Sequence, residues 1–385
     1  MNKTYTRFAA ATVIYAVFAG YLYRPYFNGF NSFRLKDLFV ANVFLASLGC
    51  YVLSRRWVSG FAESFFAGAV YGFGPYMLGL VKFHPTGCFL VAVIPWLFCP
   101  AVYGPKIRRQ WRKPSLAGKS EARSKRSIFY FLSSVFYLPS SVLCLLPFLV
   151  VVLFFQVAAH FGLYPIPINL KLRAADLAGL LVPLVTAKRG MTLIGFYHVP
   201  IAALVMGLSM FLMPLKGLLR GGIVKKRKHF RDLVIRRSGI VVVFAVTTIL
   251  SFSDSLFQIS PIIWPAISML CCSVLIGIGM QGLISAGPAD RSPVLFAAII
   301  SGVLAIITLL LATKYFQIVA GLGSGYARLL VETAKMYLLA ASAVAVLFII
   351  ARAKLRIHPV RQILLYAIMM LDIFLGARFI VDTIL

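Results

Sequence analysis

The chain has 385 residues, of which 61% are hydrophobic and only 13% charged, with a mean hydropathy of +0.91. A water-soluble domain cannot hide that much apolar surface, because surface falls too slowly with size. The net charge of +29 attracts phosphate, yet the basic residues lie between apolar segments rather than on one patch. That pattern points to membrane topology and away from nucleic acid.

Apolar runs predict an all-α, polytopic transmembrane bundle of about eleven spans. They fall at 8–23, 38–54, 61–81, 86–104, 128–158, 191–214, 238–256, 260–285, 294–313, 327–350 and 362–381. The first follows Lys3 and Arg7 and reads as an uncleaved signal anchor. Residues 1–104 form an N-terminal four-helix part, 105–127 a basic cytoplasmic linker, and 128–385 a seven-helix part. Residues 174–187 are too short to span and contain Pro183. With Tyr164-Pro165-Ile166-Pro167 they read as an outer loop over 160–190 that carries an interfacial or re-entrant helix.

Charge sets the orientation. With the N-terminus in the cytoplasm and the C-terminus outside, inside segments carry 27 Lys and Arg and outside loops nine. Nine of the inside charges fall in 105–127 and nine in 215–237, a bias that follows the positive-inside rule. The tract Lys225-Lys226-Arg227-Lys228 suits anionic lipid headgroups. The localisation expected is a multi-pass protein of the bacterial inner membrane. The six cysteines lie within or at the edges of apolar runs without metal-ligand spacing, as small packing residues do.

An ionisable side chain at membrane depth costs about 2.5–3.5 kcal/mol, so each is a candidate for function. The threading puts Asp37, Asp176, Asp254, Glu332, His84, His160 and His198 near the outer face. Glu63, Glu121, His229, Asp232, Asp290 and His358 fall at the inner face, where water reaches helix ends. Asp372 lies midway along 362–381 and, with Glu332, forms the pair of intramembrane acids. Two glycine-rich runs, Gly68, Gly72, Gly74 and Gly79, and Gly277, Gly279, Gly282 and Gly287, allow close helix approach.

Residues 41–103 carry a Gly-x-Tyr-x-Leu-x-Arg-Arg helix end at Gly49, Tyr51, Leu53, Arg55 and Arg56. An Ala-Gly-x-x-Tyr-x-Phe-x-Pro-Tyr helix follows at Ala67, Gly68, Tyr71, Phe73, Pro75 and Tyr76. His84 precedes Pro95-Trp96-Leu97, and Ala175-Asp176-Leu177 with Pro183 comes before Gly195-Phe196-Tyr197. Over about 38–215 this resembles the GT-C type of polyprenyl-phosphate-dependent membrane glycosyltransferases. The resemblance implies an outer-face site in which Asp37 is base or metal ligand, Asp176 a second acid and His84 an orienting group. Arg24, Arg34 and Lys36 would lie on a lipid phosphate. The family carries an acidic residue, often a pair, in its first outer loop; loop 24–37 offers Asp37 alone.

Three functions stay open on these residues. One is a non-catalytic subunit of a larger membrane complex, or a catalytically degenerate relative of these enzymes. Another is an active transferase of lipid-linked sugar, acting on a polyprenyl-phosphate lipid. The third is an ion-coupled transporter using Asp372 and Glu332. No cofactor is expected, save a divalent metal if the chain is an active transferase.

Overall fold

The computed structural model describes residues 3–24, 37–83, 85–111, 145–161, 242–254, 259–285 and 291–318, with scattered positions at 204–208, 240, 256 and between 334 and 381. Among the described residues every regular element is helical. In chain order these are α1 (Lys3–Tyr23), α2 (Asp37–Ser54), α3 (Phe61–Gly72), α4 (Pro75–Phe83), α5 (Pro85–Trp111) and α6 (Leu146–His160), then a 3-10 turn (Pro261–Ile263), α7 (Pro265–Ser285) and α8 (Arg291–Ile318). The segment Val242–Phe252 is also helical. Pro75, Pro85 and Pro265 each open a helix, where a fixed φ helps and a missing N–H costs nothing.

The stretch Pro261–Ile284 is long and apolar enough to cross a membrane, at 24 residues and a mean hydropathy of 2.1. Phe39–Ser54, Gly87–Tyr103, Leu146–Ala158, Val242–Phe252 and Val294–Leu310 are shorter apolar helices. The predicted span 61–81 differs from what forms. It breaks at Phe73-Gly74, where the Phe73 N–H still reaches the Ala69 carbonyl at 2.9 Å, but Pro75 has no N–H to offer Tyr71. A side chain at Gly74 would run into the Val70 carbonyl. Among the described residues the expected span 61–81 is therefore two helices, α3 and α4.

Helix α2 is the hub, packed most extensively on α3 and α5 and also on α1 and α7. Glycine makes its contact with α3 close. A Cβ on Gly68 would strike the Ser47 carbonyl and the Tyr15 hydroxyl, and one on Gly72 would strike Ser47 Oγ and the Val43 carbonyl. Gly68 and Gly72 lie four apart on one face, the small-residue spacing that lets helix backbones meet. On its other side α3 receives α7, where Gly277 sits over Ala67 and the Glu63 carbonyl. One continuous apolar core runs from Ala11 to Val381 and takes in both halves of the chain.

The outer helices carry large apolar side chains on their exposed faces. On α8, Ser301 and Thr308 are buried, while Leu295, Phe296, Ile299, Val303, Ile306 and Leu310 are exposed. On Val242–Phe252, Thr247 and Ser251 are buried, while Phe244, Val246 and Ile249 are exposed. Helix α6 presents Leu149, Leu153 and Val157 in a ridge at intervals of four. The inward hydroxyls are satisfied locally. Ser301 donates to the Ala297 carbonyl at 2.9 Å, and Thr247 Oγ1 meets Ser268 Oγ of α7 at 2.7 Å.

Candidate functional site

Helix α1 runs up to Tyr23 and α2 starts at Asp37, so the ends of two neighbouring helices place Arg24 and Asp37 at one end of the bundle. Arg24 is exposed. The corner between α4 and α5 belongs to the same end. The Cys88 thiol of α5 reaches the Met77 carbonyl of α4 at 3.8 Å and hydrogen-bonds Asn42 of α2. Of the other expected site residues, Arg34, Lys36, His84, Asp176, Glu332 and Asp372 lie outside the described residues. Among the described residues no group of three or more His, Cys, Asp or Glu side chains gathers as for a metal ion. Chemically, Arg24 offers a guanidinium to an anion.

Below that end the polar atoms of the aromatic residues tie helix to helix. Tyr15 Oη of α1 donates to the Phe65 carbonyl of α3 at 2.6 Å. Trp96 Nε1 of α5 donates to the Leu45 carbonyl of α2 at 3.1 Å, and Tyr103 Oη donates to the Val52 carbonyl at 2.5 Å. Tyr71 Oη of α3 donates to the Val91 carbonyl of α5 at 2.9 Å, and Tyr76 Oη of α4 donates to the Ile262 carbonyl at 2.5 Å.

Four of the five acceptor carbonyls are open for a local reason. A helical carbonyl points toward the residue four ahead. For Leu45 that residue is Gly49, and a Cβ there would collide with the Trp96 indole. For Phe65 the gap is left by Gly68, on which a Cβ would meet the Tyr15 hydroxyl. For Val91 the residue four ahead is Pro95, which has no N–H, and Tyr71 supplies the missing bond. For Ile262, in a 3-10 turn, the residue three ahead is Pro265, and Tyr76 takes the same part.

The opposite end carries a second polar group, centred on Ser59 and Gln281, two residues that the sequence did not single out. Arg55, just past α2, donates to the Ser59 carbonyl at 2.9 Å and closes the α2–α3 link on itself. Gln281 of α7 clasps the same link, giving its amide to Ser59 Oγ at 2.7 Å and taking the Ser59 N–H at 3.3 Å. Glu63, expected at a water-washed helix end, is instead buried at 6% exposure. Its carboxylate folds back over Gly60, where a Cβ would collide with it. A negative group in the first turn of α3 suits the helix dipole. The Tyr366 Oη is buried and has no hydrogen-bond partner among the described residues.

No family model, curated protein or solved structure matches the chain. The five described cysteines carry free thiols, and four of them are buried. Cys50 reaches the Ala67 carbonyl at 3.4 Å and Cys99 the Pro95 carbonyl at 3.4 Å, so they pack among the helices as small residues do. The tyrosine and tryptophan pins had one signal in the sequence, aromatic donors recurring within apolar runs beside Gly and Pro. What the sequence lacked was the pairing of donor with carbonyl.

Proposed function

We propose that this chain is a multi-pass integral protein of a bacterial inner membrane, working as a non-catalytic subunit or a catalytically degenerate relative of the GT-C glycosyltransferases. The observation that carries the membrane part is the apolar outer surface of the outer helices. Leu, Ile, Val and Phe cover the outside of α6, α8 and Val242–Phe252, and on the last two Ser and Thr hydroxyls sit on the inner side. Water would favour the reverse arrangement, whereas lipid tails favour this one. The assignment as a subunit or degenerate relative is supported by the polar atoms of Tyr15, Tyr71, Tyr76, Trp96 and Tyr103, all of which hold helices together. Two experiments test it. Cysteine placed at Lys225 is labelled by an impermeant maleimide only after the membrane is opened; labelling of intact spheroplasts refutes the threading. Purification from native membranes in mild detergent brings down a stoichiometric membrane partner; a lone chain with transferase activity refutes the subunit reading.

The second reading, an active transferase of lipid-linked sugar, draws support from Arg24 and Asp37 at one end of the bundle. It requires that Asp37→Ala and Asp176→Ala each abolish sugar transfer while the protein still accumulates in the membrane. Full activity in both variants removes it.

A further inference from the structure

At its Glu63 end, α3 carries two polar groups that folding has taken out of water. Glu63, in the first turn of α3, is a buried carboxylate. Phe66, one turn further along the same side of the helix, meets the Tyr366 ring at 6.4 Å in an edge-on contact. The Tyr366 Oη is buried and has no hydrogen-bond partner among the described residues. Drying a carboxylate, or a hydroxyl left without a partner, is costly. The dipole of α3 offsets part of the first cost and none of the second. This end of the bundle is therefore biased toward admitting water.

A polar fastening at the mouth of the α7–α3 seam opposes that bias. Gly277 of α7 packs on Ala67, the Glu63 carbonyl and Val58. One turn further along the same face of α7, Gln281 donates its amide to Ser59 Oγ at 2.7 Å and accepts the Ser59 N–H at 3.3 Å. Ser59 is exposed and Gln281 half-buried, so water competes for both bonds. Arg55 steadies the receiving side through the Ser59 carbonyl, at 2.9 Å. Val58, directly beneath, is 1% exposed. Two water-exposed bonds set against two dry polar groups make an element with two accessible states.

We propose that Gln281 and Ser59 form a latch, whose release parts the end of α7 from α3 and lets water reach Glu63 and Tyr366. The arrangement described is its shut state. Val58→Cys puts a thiol under the latch without removing any of the polar groups involved. The full chain is labelled in detergent micelles, where orientation in a bilayer plays no part. The reagent is water-soluble sulfonatoethyl methanethiosulfonate, and modification at residue 58 is resolved from the native cysteines by peptide mass spectrometry. Gln281→Ala is expected to raise the labelling rate about tenfold, as two exposed hydrogen bonds are lost. Ser59→Ala, which removes one of the two, should raise it about threefold. Tyr366→Phe should lower it about fivefold, because the dry hydroxyl that favours opening is gone. An unchanged rate in Gln281→Ala and Ser59→Ala overturns the latch. Acceleration by those two without slowing by Tyr366→Phe also overturns it, since loosened packing alone would give that result. So does labelling of Val58→Cys in the otherwise unaltered chain as fast as that of Tyr5→Cys, a position 69% exposed on α1.

Discussion

The indole Nε1 of Trp96 donates to the Leu45 carbonyl at 3.1 Å, through a gap that exists because residue 49 is glycine. One atom's absence on α2 thus admits the ring that fastens α5 to it. Gly49→Ala is expected to cost about 1–3 kcal/mol, because the indole must move or the helices must part. Trp96→Phe should cost about 0.5–1.5 kcal/mol, since Leu45 loses one bond of two. The double variant should cost less than the sum, as the smaller ring frees space above residue 49. Reversible unfolding in mixed detergent micelles measures all three; strict additivity would show that the gap and the indole are unrelated.

Pro95 and Tyr71 form a second such pair, with the roles reversed. The proline leaves the Val91 carbonyl without its helical partner, and the tyrosine hydroxyl restores it at 2.9 Å. Tyr71→Phe should therefore destabilise by about 1–3 kcal/mol, the penalty of a buried unpaired polar group. In a Pro95→Ala background an N–H returns to α5, and the same Tyr71→Phe change should cost about 1 kcal/mol less. An unchanged cost in that background contradicts the account.

Gly72 stands over Ser47, and its contact includes backbone as well as a hydroxyl. Gly72→Ala should destabilise by about 1–3 kcal/mol. Adding Ser47→Ala removes the hydroxyl but leaves the Val43 carbonyl in the way, so rescue should be partial. Unfolding midpoints of the single and double variants decide this; complete rescue means that α2 and α3 can slide apart at little cost.

Ile299 is 52% exposed on α8. An exposed isoleucine facing water tolerates Lys within about 0.5 kcal/mol. Facing lipid, Ile299→Lys should cost about 2.5–3.5 kcal/mol near the bilayer centre. Membrane-integrated yield and unfolding free energy of this variant, set beside Ile299→Leu, separate the two environments. Wild-type behaviour of the lysine variant would argue against lipid on that face.

Hydropathy placed α2 within one residue of its ends and located α1, α5, α7 and α8, since each is a sustained apolar run, although α1 starts five residues earlier, α5 ends seven later and α8 five later than the runs themselves. It could not place the break at Phe73-Gly74. An average over 61–81 is blind to the N–H that Pro75 lacks. Glu63 was misplaced for a related reason. Its position in the chain puts it at a helix end, but α7 lies over that end, and a contact over two hundred residues long leaves no local mark. The glycines were read correctly as close-approach residues at Gly68, Gly72 and Gly277, whereas Gly74 serves a break within its own segment. Of the expected outer site, Arg24 and Asp37 fall at the adjoining ends of α1 and α2, and the other expected residues lie outside the described residues.

The seat of α7 against α3 has a consequence for how the protein is made. The face of α3 that carries Glu63 and Ala67 is covered by residue 277, and the α2–α3 link is clasped by residue 281. A ribosome delivers those partners some two hundred residues after α3 has been made. Under the membrane reading proposed above, the early helices wait until then in the bilayer with an unfinished flank. Biogenesis must shelter that flank, by the insertion machinery or by a neighbouring subunit, and a product truncated before α7 would be a natural substrate for membrane proteolysis.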